Sequence, residues 1–555
     1  MQGIGIGESD FKMLRSKDYY YIDKSLFIKH IIDNCSAVTV IHRPRRFGKT
    51  LNMSMLRYYF DCNLKDTAKL FDGLKIMEQE EKYTSKQGYY PCIYMTFKDI
   101  KGANLDEMML FFQTELMELV LNYKVLLKSE QISDGEKEIL NSIMNLKANK
   151  VQLQIAIKQL SRMLYEEYDK PVMLFLDEYD VPLQNAYVQG FYDEAVNFFK
   201  DFFGLSFKDN PYMEKTIITG VSRVAKESIF SGANNFKVFT VLDDEFSEDF
   251  GITTEEMKQV IKDFNVQDDE EEIKRWYDGY IIGHTEGIYN PWSILNYLSD
   301  RKLIPYWVNT SSNDLIKLIL KKSSTVKQQI ESLLKDEEIE VQINLETVIT
   351  GIEDNEDNIW GLLLGTGYLK VTGTVDISNS IYKVKLVNNE IKLLFTQIVN
   401  SWFKDKVIGN DLNSIMKDLI TLNLDEFNEK FKILVKEMFS YLDVGENTAE
   451  NFYHAFVLGM LVSLKDSYIV NSNRESGIGR YDIMLEPKDK NGNSFIMEFK
   501  VLEDLEEKTI EETIENAKKQ IEEKQYETSL RERGFDNITK MVFAFKGKEV
   551  KMEIY

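Results

Sequence analysis

Apolar residues fall into two regimes along this chain. Short continuous apolar runs at 36–42 (SAVTVIH), 91–97 (PCIYMTF), 171–176 (PVMLFL) and 215–219 (KTIIT) predict strands buried on both faces, because a strand with one wet face alternates. Amphipathic helical stretches lie between them. That β/α alternation over residues 1–250 predicts an α/β fold with a mainly parallel sheet and crossover helices. Over 251–440 the pattern turns mainly helical, as in SNDLIKLILKKSSTVKQQIESLLKD, and predicts a lid or connecting region. A final α/β unit is expected over 441–555. There a helical stretch, TAENFYHAFVLGMLVSL, precedes two strands, GRYDIMLE and SFIMEFKV, separated by PKDKNGN, whose Pro and Asn-Gly are turn chemistry.

Bulk properties narrow the class. With 555 residues, 43% hydrophobic and 12% aromatic, the chain is too long for one core and can bury several. No internal repeat or Gly/Ser tract marks a linker. The N-terminus lacks a basic segment followed by an apolar one, and the longest apolar run, FVLGMLVSL, is far short of the ~20 residues a membrane span needs. A cytoplasmic protein with no membrane partner is the expectation. Cys35, Cys62 and Cys92 are isolated and predict buried, inert thiols rather than disulfides or a zinc site. The net charge of −23 argues against nonspecific coating of nucleic acid, which needs clustered cations, but is compatible with a small metal-lined site. Part of that charge lies in runs such as Asp268–Glu272, read as solvated helix faces.

The stretch TVIHRPRRFGKTLNMSML joins a strand to a helix through Gly48-Lys49-Thr50, as a phosphate-binding loop does, with Arg43 where the common G-x-x-x-x-G-K-[ST] pattern has its first glycine. Main-chain N–H groups would surround the phosphates, Lys49 would meet the outer ones and Thr50 would ligate magnesium. Alone, G-K-T also fits an ordinary strand-to-helix turn. LFLDEYD adds Asp177 for the magnesium shell and Glu178 to orient or activate water, at the end of a strand where an open parallel sheet presents its ligands. Of Thr219, Ser222 and Arg223, one would sense a γ-phosphate, or all would serve as loop caps. Arg43, Arg45 and Arg46 would neutralise phosphate charge, or pair with surrounding acids.

A second constellation lies near the C-terminus. Side chains alternate along a strand, so Glu498 and Lys500 share one face and Met497 and Phe499 the other. Asp482 on the preceding strand can lie beside them. Two carboxylates can hold one or two Mg2+ or Mn2+ ions, which lower the pKa of a water for phosphodiester hydrolysis, and Lys500 would position that water or stabilise a pentavalent phosphate. The D…E-x-K pattern is common on solvated hairpins. Glu450 near the start of the preceding helix adds a further metal carboxylate or a helix-dipole partner, and the following helix carries Gln520 and Tyr526. His454 is read as structural, and Arg474 and Arg480 as phosphate contacts or surface pairs.

Taken as an ordered set, YYYIDKSLFIKHII, VIHRPRRFGKTLNMSML, LFLDEYD, ITGVSR, YNPWSILNYL, FYHAFVLGMLVSL, NRESGIGRYDIML and IMEFKV resemble a bacterial family of AAA-ATPase-like proteins fused to a C-terminal PD-(D/E)XK nuclease-superfamily domain. In that family the R-P-R-R-F-G-K-[ST] loop is the usual form. The resemblance implies nucleotide (ATP) and magnesium roles for Lys49, Thr50, Asp177 and Glu178, in an arginine-rich variant of the phosphate loop that carries Arg43, Arg45, Arg46 and Gly48. It implies metal-dependent hydrolysis of nucleic acid, DNA ahead of RNA, at Asp482, Glu498 and Lys500, and leaves open a homo-oligomer.

Overall fold

The structure is a computed structural model. It describes residues 2–221, 236–307, 324–334, 336–345, 358–404, 410–439, 457, 460–461, 464, 467–472, 475–476, 479–480, 482–490, 492–502, 509–546 and 549–554. Ser222, Arg223, Glu450, His454 and Arg474 lie outside these residues, as does most of the predicted helix over 448–464.

The four apolar runs form strands β1 (Val38–His42), β2 (Cys92–Thr96), β3 (Val172–Asp177) and β4 (Met213–Gly220). A fifth, β5 (Phe236–Phe239), was not anticipated, since four residues give no period to read. All pairings are parallel, in the order β2-β3-β4-β1-β5. Every residue of β1 and β3 is buried, as a parallel sheet covered on both faces requires. One face packs on helices Leu105–Leu121, Lys150–Tyr168 and Tyr192–Phe207 through a core that includes Phe97, Phe112, Phe199, Phe202 and Phe203. The helix Lys49–Phe60 contacts β3 and stacks Phe60 on Phe175, ring centroids 6.4 Å apart. Since β4 separates β1 from β3, the C-terminal ends of β1, β4 and β3 form one edge, and the loop that follows β1 and Asp177 lie along it.

The middle region is mainly helical, with helices Thr254–Phe264, Glu270–Tyr277 and Pro291–Asp300. It also holds an antiparallel hairpin, β6 (Tyr280–Ile282) and β7 (Thr285–Ile288), and a small sheet ordered β8-β10-β9 from β8 (Ile339–Gln342), β9 (Leu369–Asp376) and β10 (Ile381–Leu386). Two units result, residues 1–315 with 340–391 and residues 316–339 with 392–555, so the segment 251–440 is divided between them.

In the second unit, β11 (Tyr468–Ser472) precedes a short hairpin of β12 (Glu475–Ser476) and β13 (Gly479–Arg480). Strands β14 (Ile483–Pro487), β15 (Ser494–Val501), β16 (Ile538–Lys546) and β17 (Glu549–Ile554) complete a mixed sheet ordered β11-β14-β15-β16-β17. Only β15 and β16 run parallel, and the helix Ile510–Lys524 makes the crossover between them. Alternation sorts the two faces. Met497, Phe499, Phe543 and Phe545 pack on helices Asn410–Ile420 and Leu424–Phe439, while Ile496, Val542 and Ala544 face Ile514, Ala517 and Ile521 of the crossover helix.

No helix among the described residues is long and apolar enough to cross a membrane. Cys92 is buried and Cys62 partly so, but Cys35 is exposed. The expectation of three buried thiols fails there because Cys35 lies in the exposed connection between the helix Leu26–Asp33 and β1.

Candidate functional site

The candidate phosphate loop, residues 43–50, begins where β1 ends. Gly48, at φ +83°, caps the helix Lys49–Phe60, a conformation glycine adopts without a Cβ penalty. Arg46 also stands in the left-handed region, at φ +65°. The first N–H groups of a helix have no partner within it, so the loop and helix start offer donors to an anion. Lys49 is buried, and its ammonium donates to the carbonyls of Arg43 (3.0 Å) and Pro44 (2.8 Å). Burial pulls its pKa down, opposed by Glu178, Asp180 and Asp177.

Asp177 is the hub of the edge. Thr50 Oγ1 donates to its Oδ2 at 2.7 Å and Thr219 Oγ1 to its Oδ1 at 2.6 Å. Burial raises its carboxyl to about 6, with the Thr219 and Thr50 hydrogen bonds pulling the other way. These are hard oxygen donors of the kind magnesium takes, and Thr50 and Asp177 could hold that ion. Glu178 follows at φ +56°, a backbone state costing a non-glycine residue about 1 kcal/mol or more, and it lies near enough to Lys49 and Arg46 to act on both electrostatically. Gly220 closes the edge, since a Cβ there would come within 2.7 Å of the Tyr179 ring and 2.9 Å of Asp180. His42 Nε2 lies 2.9 Å from the Tyr179 hydroxyl, with the two rings stacked.

The three arginines part company. Arg43 is fully buried, and its guanidinium donates to the carbonyls of His42 (2.9 Å), Thr240 (2.8 Å) and Glu245 (3.0 Å) while lying over Phe250. Its two terminal nitrogens are engaged by these three main-chain carbonyls while its buried Nε has no partner among the described residues, so in this arrangement Arg43 braces the loop from beneath. Burial lowers its pKa to about 10. Arg45 donates to Gln184 Oε1 at 3.3 Å, and Gln184 in turn donates to Asp180 at 2.6 Å. Arg46 lies over the Trp292 ring at 4.3 Å.

In the second unit the predicted trio assembles on one side of the sheet. Asp482 Oδ2 accepts from the Phe499 N–H at 2.8 Å, which fastens it beside β15. Glu498 is 1% exposed. Its Oε1 takes the Lys500 ammonium at 3.1 Å and Gln520 Nε2 at 2.6 Å, and that same nitrogen reaches the Tyr526 hydroxyl at 3.0 Å. Burial raises the Tyr526 phenol, reinforced by Glu498 and Asp482. Asp482 and Glu498 supply two carboxylates, and among the described residues no group of three or more Asp, Glu, His or Cys converges on a metal position. The donor set suits a hard cation that keeps water in its remaining positions. Several lysines around this helix are paired: Lys518 with Glu515 and Glu553, Lys540 with Glu522 and Glu527, Lys551 with Glu511.

Sequence reasoning missed Asn290, Trp292 and Trp307, which touch the phosphate loop. Only the motif YNPWSILNYL pointed at two of them, and it carries no chemistry by itself.

A parallel sheet with a Gly-Lys-Thr loop and an acidic strand end, and a mixed sheet with an Asp and a Glu-x-Lys, give the two domains of the chain. Comparison with known proteins agrees. Residues 4–230 match the family described as "Predicted AAA-ATPase" and residues 448–554 match the PD-(D/E)XK nuclease superfamily. The chain is a fusion of an AAA-ATPase-like domain with a C-terminal PD-(D/E)XK domain. It is also similar to an uncharacterized protein from the vnfD 5′ region of Azotobacter chroococcum mcd 1, with 23% identity covering 70% of this chain and 68% of that one.

Proposed function

We propose that this protein binds and hydrolyses ATP, and that its nucleotide state gates a magnesium-dependent phosphodiesterase acting on nucleic acid. The observation that carries the reading is the meeting of Thr50 and Asp177 at 2.7 Å, because a hydroxyl at a helix start and a carboxylate at a strand end are the two protein ligands a nucleotide-bound magnesium takes in P-loop proteins. Lys49 would exchange the Arg43 and Pro44 carbonyls for phosphate oxygens, Arg45 and Arg46 would add positive charge, and Glu178 would orient the attacking water.

In the C-terminal domain Asp482 and Glu498 would hold the divalent ion, which supplies an activated water and charge neutralisation. Lys500, 28% exposed, would leave Glu498 to stabilise charge on the phosphate. Gln520 holds the Glu498 carboxylate in place. DNA is preferred to RNA as the substrate.

Cleavage of labelled DNA in Mg2+ or Mn2+ tests the second site directly. Lys500→Ala should abolish cleavage and leave ATP binding intact. Cleavage that survives the substitution removes Lys500 from the chemistry.

One observation favours a second reading, a nucleotide-dependent switch or nucleic-acid-binding module whose nuclease fold is silent. Glu498 Oε1 already takes two donors, Lys500 and Gln520, and both would have to rearrange for a metal to use that oxygen. Under this reading Lys49→Ala removes a nucleotide-dependent change in protease protection, and no substrate is ever cut.

A further inference from the structure

The motif YNPWSILNYL supplies no phosphate or metal ligand, yet its residues lie against the loop 43–50. Asn290, fully buried, accepts from the N–H groups of Trp292 and Ser293 with Oδ1 and so caps the helix Pro291–Asp300. Its Nδ2 turns the other way, 3.5 Å from the Arg45 carbonyl. The Trp307 indole N–H donates to that same carbonyl at 3.0 Å. The Trp307 main-chain N–H donates to Glu390 Oε1 at 2.6 Å, and Ser293 Oγ donates to Glu390 Oε2 at 2.9 Å. Glu390 is fully buried and stands in the first turn of the helix Asn389–Lys404.

The rest of the loop is gripped from the same quarter. Arg43 reaches Thr240 and Glu245. Pro44 lies against Gly367, where a Cβ would come within 2.7 Å of it. Arg46 covers Trp292, and Phe47 packs edge-on to Tyr280 at 4.8 Å while its carbonyl accepts from the Gly251 N–H at 3.3 Å. Each residue from Arg43 to Phe47 is therefore held by chain that follows residue 239.

We propose that Trp307 and Asn290 are positioning residues that fix the Arg45 carbonyl of the phosphate loop, and that Glu390 ties them to the start of the helix Asn389–Lys404, so that loop occupancy is felt there. The proposal rests on the nucleotide reading of residues 43–50 given above. Its chemical logic is that a bound triphosphate recruits loop N–H groups and the Lys49 ammonium, which releases the Arg43 and Pro44 carbonyls next to that of Arg45, and an Arg45 carbonyl that shifts with them either carries the buried Trp307 indole along or leaves its N–H unpaired, at the cost of a buried hydrogen bond. The helix concerned passes from one unit to the other, its residues from Lys392 onward belonging to the second.

Hydrogen–deuterium exchange on the full chain tests this. Without nucleotide, Trp307→Phe removes the indole donor and keeps a ring. Asn290→Asp keeps the helix cap, removes the Nδ2 donor and guards against a tryptophan variant that fails to fold. Each should raise exchange in the peptide covering 43–50 by roughly three- to tenfold, the change that loss of one buried hydrogen bond gives, while β2 and β3 keep wild-type rates, as a general loss of stability would not allow. Wild-type exchange over 43–50 in a folded variant of either kind overturns the positioning role. With ATP and magnesium, wild type should gain protection over 43–50 and change exchange over 389–398 together, and Trp307→Phe should retain only the first effect. A 389–398 response that persists in Trp307→Phe overturns the tie through Glu390. If ATP alters nothing in wild type, the nucleotide reading fails and the tie with it, while the nucleotide-free comparison still decides the positioning role.

Discussion

Thr50 Oγ1 lies 2.7 Å from Asp177 Oδ2, joining residues 127 positions apart at the edge of the parallel sheet. Asp177→Asn keeps an acceptor for one threonine but removes the charge a magnesium ion requires. Magnesium should then cease to strengthen ATP binding, which calorimetry with and without the ion would reveal. Equal magnesium enhancement in wild type and variant would remove Asp177 from the metal shell.

Arg43 stands where most phosphate loops have glycine, and the structure makes it a brace. Restoring the common residue with Arg43→Gly should therefore harm the protein. Three carbonyls lose their donor, at a cost on the order of 3 kcal/mol, visible as a lowered Tm. A variant with unchanged Tm and altered ATP affinity would instead assign Arg43 to the phosphates.

How much of this was legible in the sequence differs by site. β1 to β4 announced themselves as unbroken apolar runs, Lys49 and Thr50 as a Gly-Lys-Thr run between a strand and a helix, and Asp177 as a carboxylate at a strand end, because these signals are local. Asp482, Glu498 and Lys500 were placed together by two-residue alternation and a hairpin turn. The role of Arg43 was not readable, since it depends on carbonyls 197 and 202 positions away. The same holds for Trp307, whose partners are Arg45 and Glu390. β5 escaped for its brevity.

Gly220 is required by close approach. An added Cβ would press on Tyr179 and Asp180 at 2.7 and 2.9 Å, both in packed surroundings, so Gly220→Ala should destabilise by about 1–3 kcal/mol. Chemical denaturation measures this. An unchanged midpoint would mean that Tyr179 gives way freely.

Stability should respond to pH through Glu390. Burial raises its carboxyl to about 7, against hydrogen bonds from the Trp307 N–H and Ser293 that pull it down. A carboxyl raised above its unfolded value contributes stability fully present below the unfolded pKa and lost as pH climbs through the folded one, here from about 4.5 to about 7. The loss attributable to this group is at most roughly 3 kcal/mol. Glu390→Gln should flatten the fall of Tm between pH 5 and pH 8 without abolishing it, because Asp61 and Asp177 are also raised, each to about 6. Parallel Tm–pH curves for wild type and variant would contradict the assignment.

Nucleotide control of cleavage is the central claim, and the ATP dependence of cleavage tests it most directly. Labelled DNA would be incubated with magnesium, with and without ATP, using wild type, Lys49→Ala and Lys500→Ala. The account predicts that ATP changes the cleavage rate of wild type, that Lys49→Ala cuts at one rate whether or not ATP is present, and that Lys500→Ala does not cut. Cleavage by wild type at the same rate with and without ATP would contradict it.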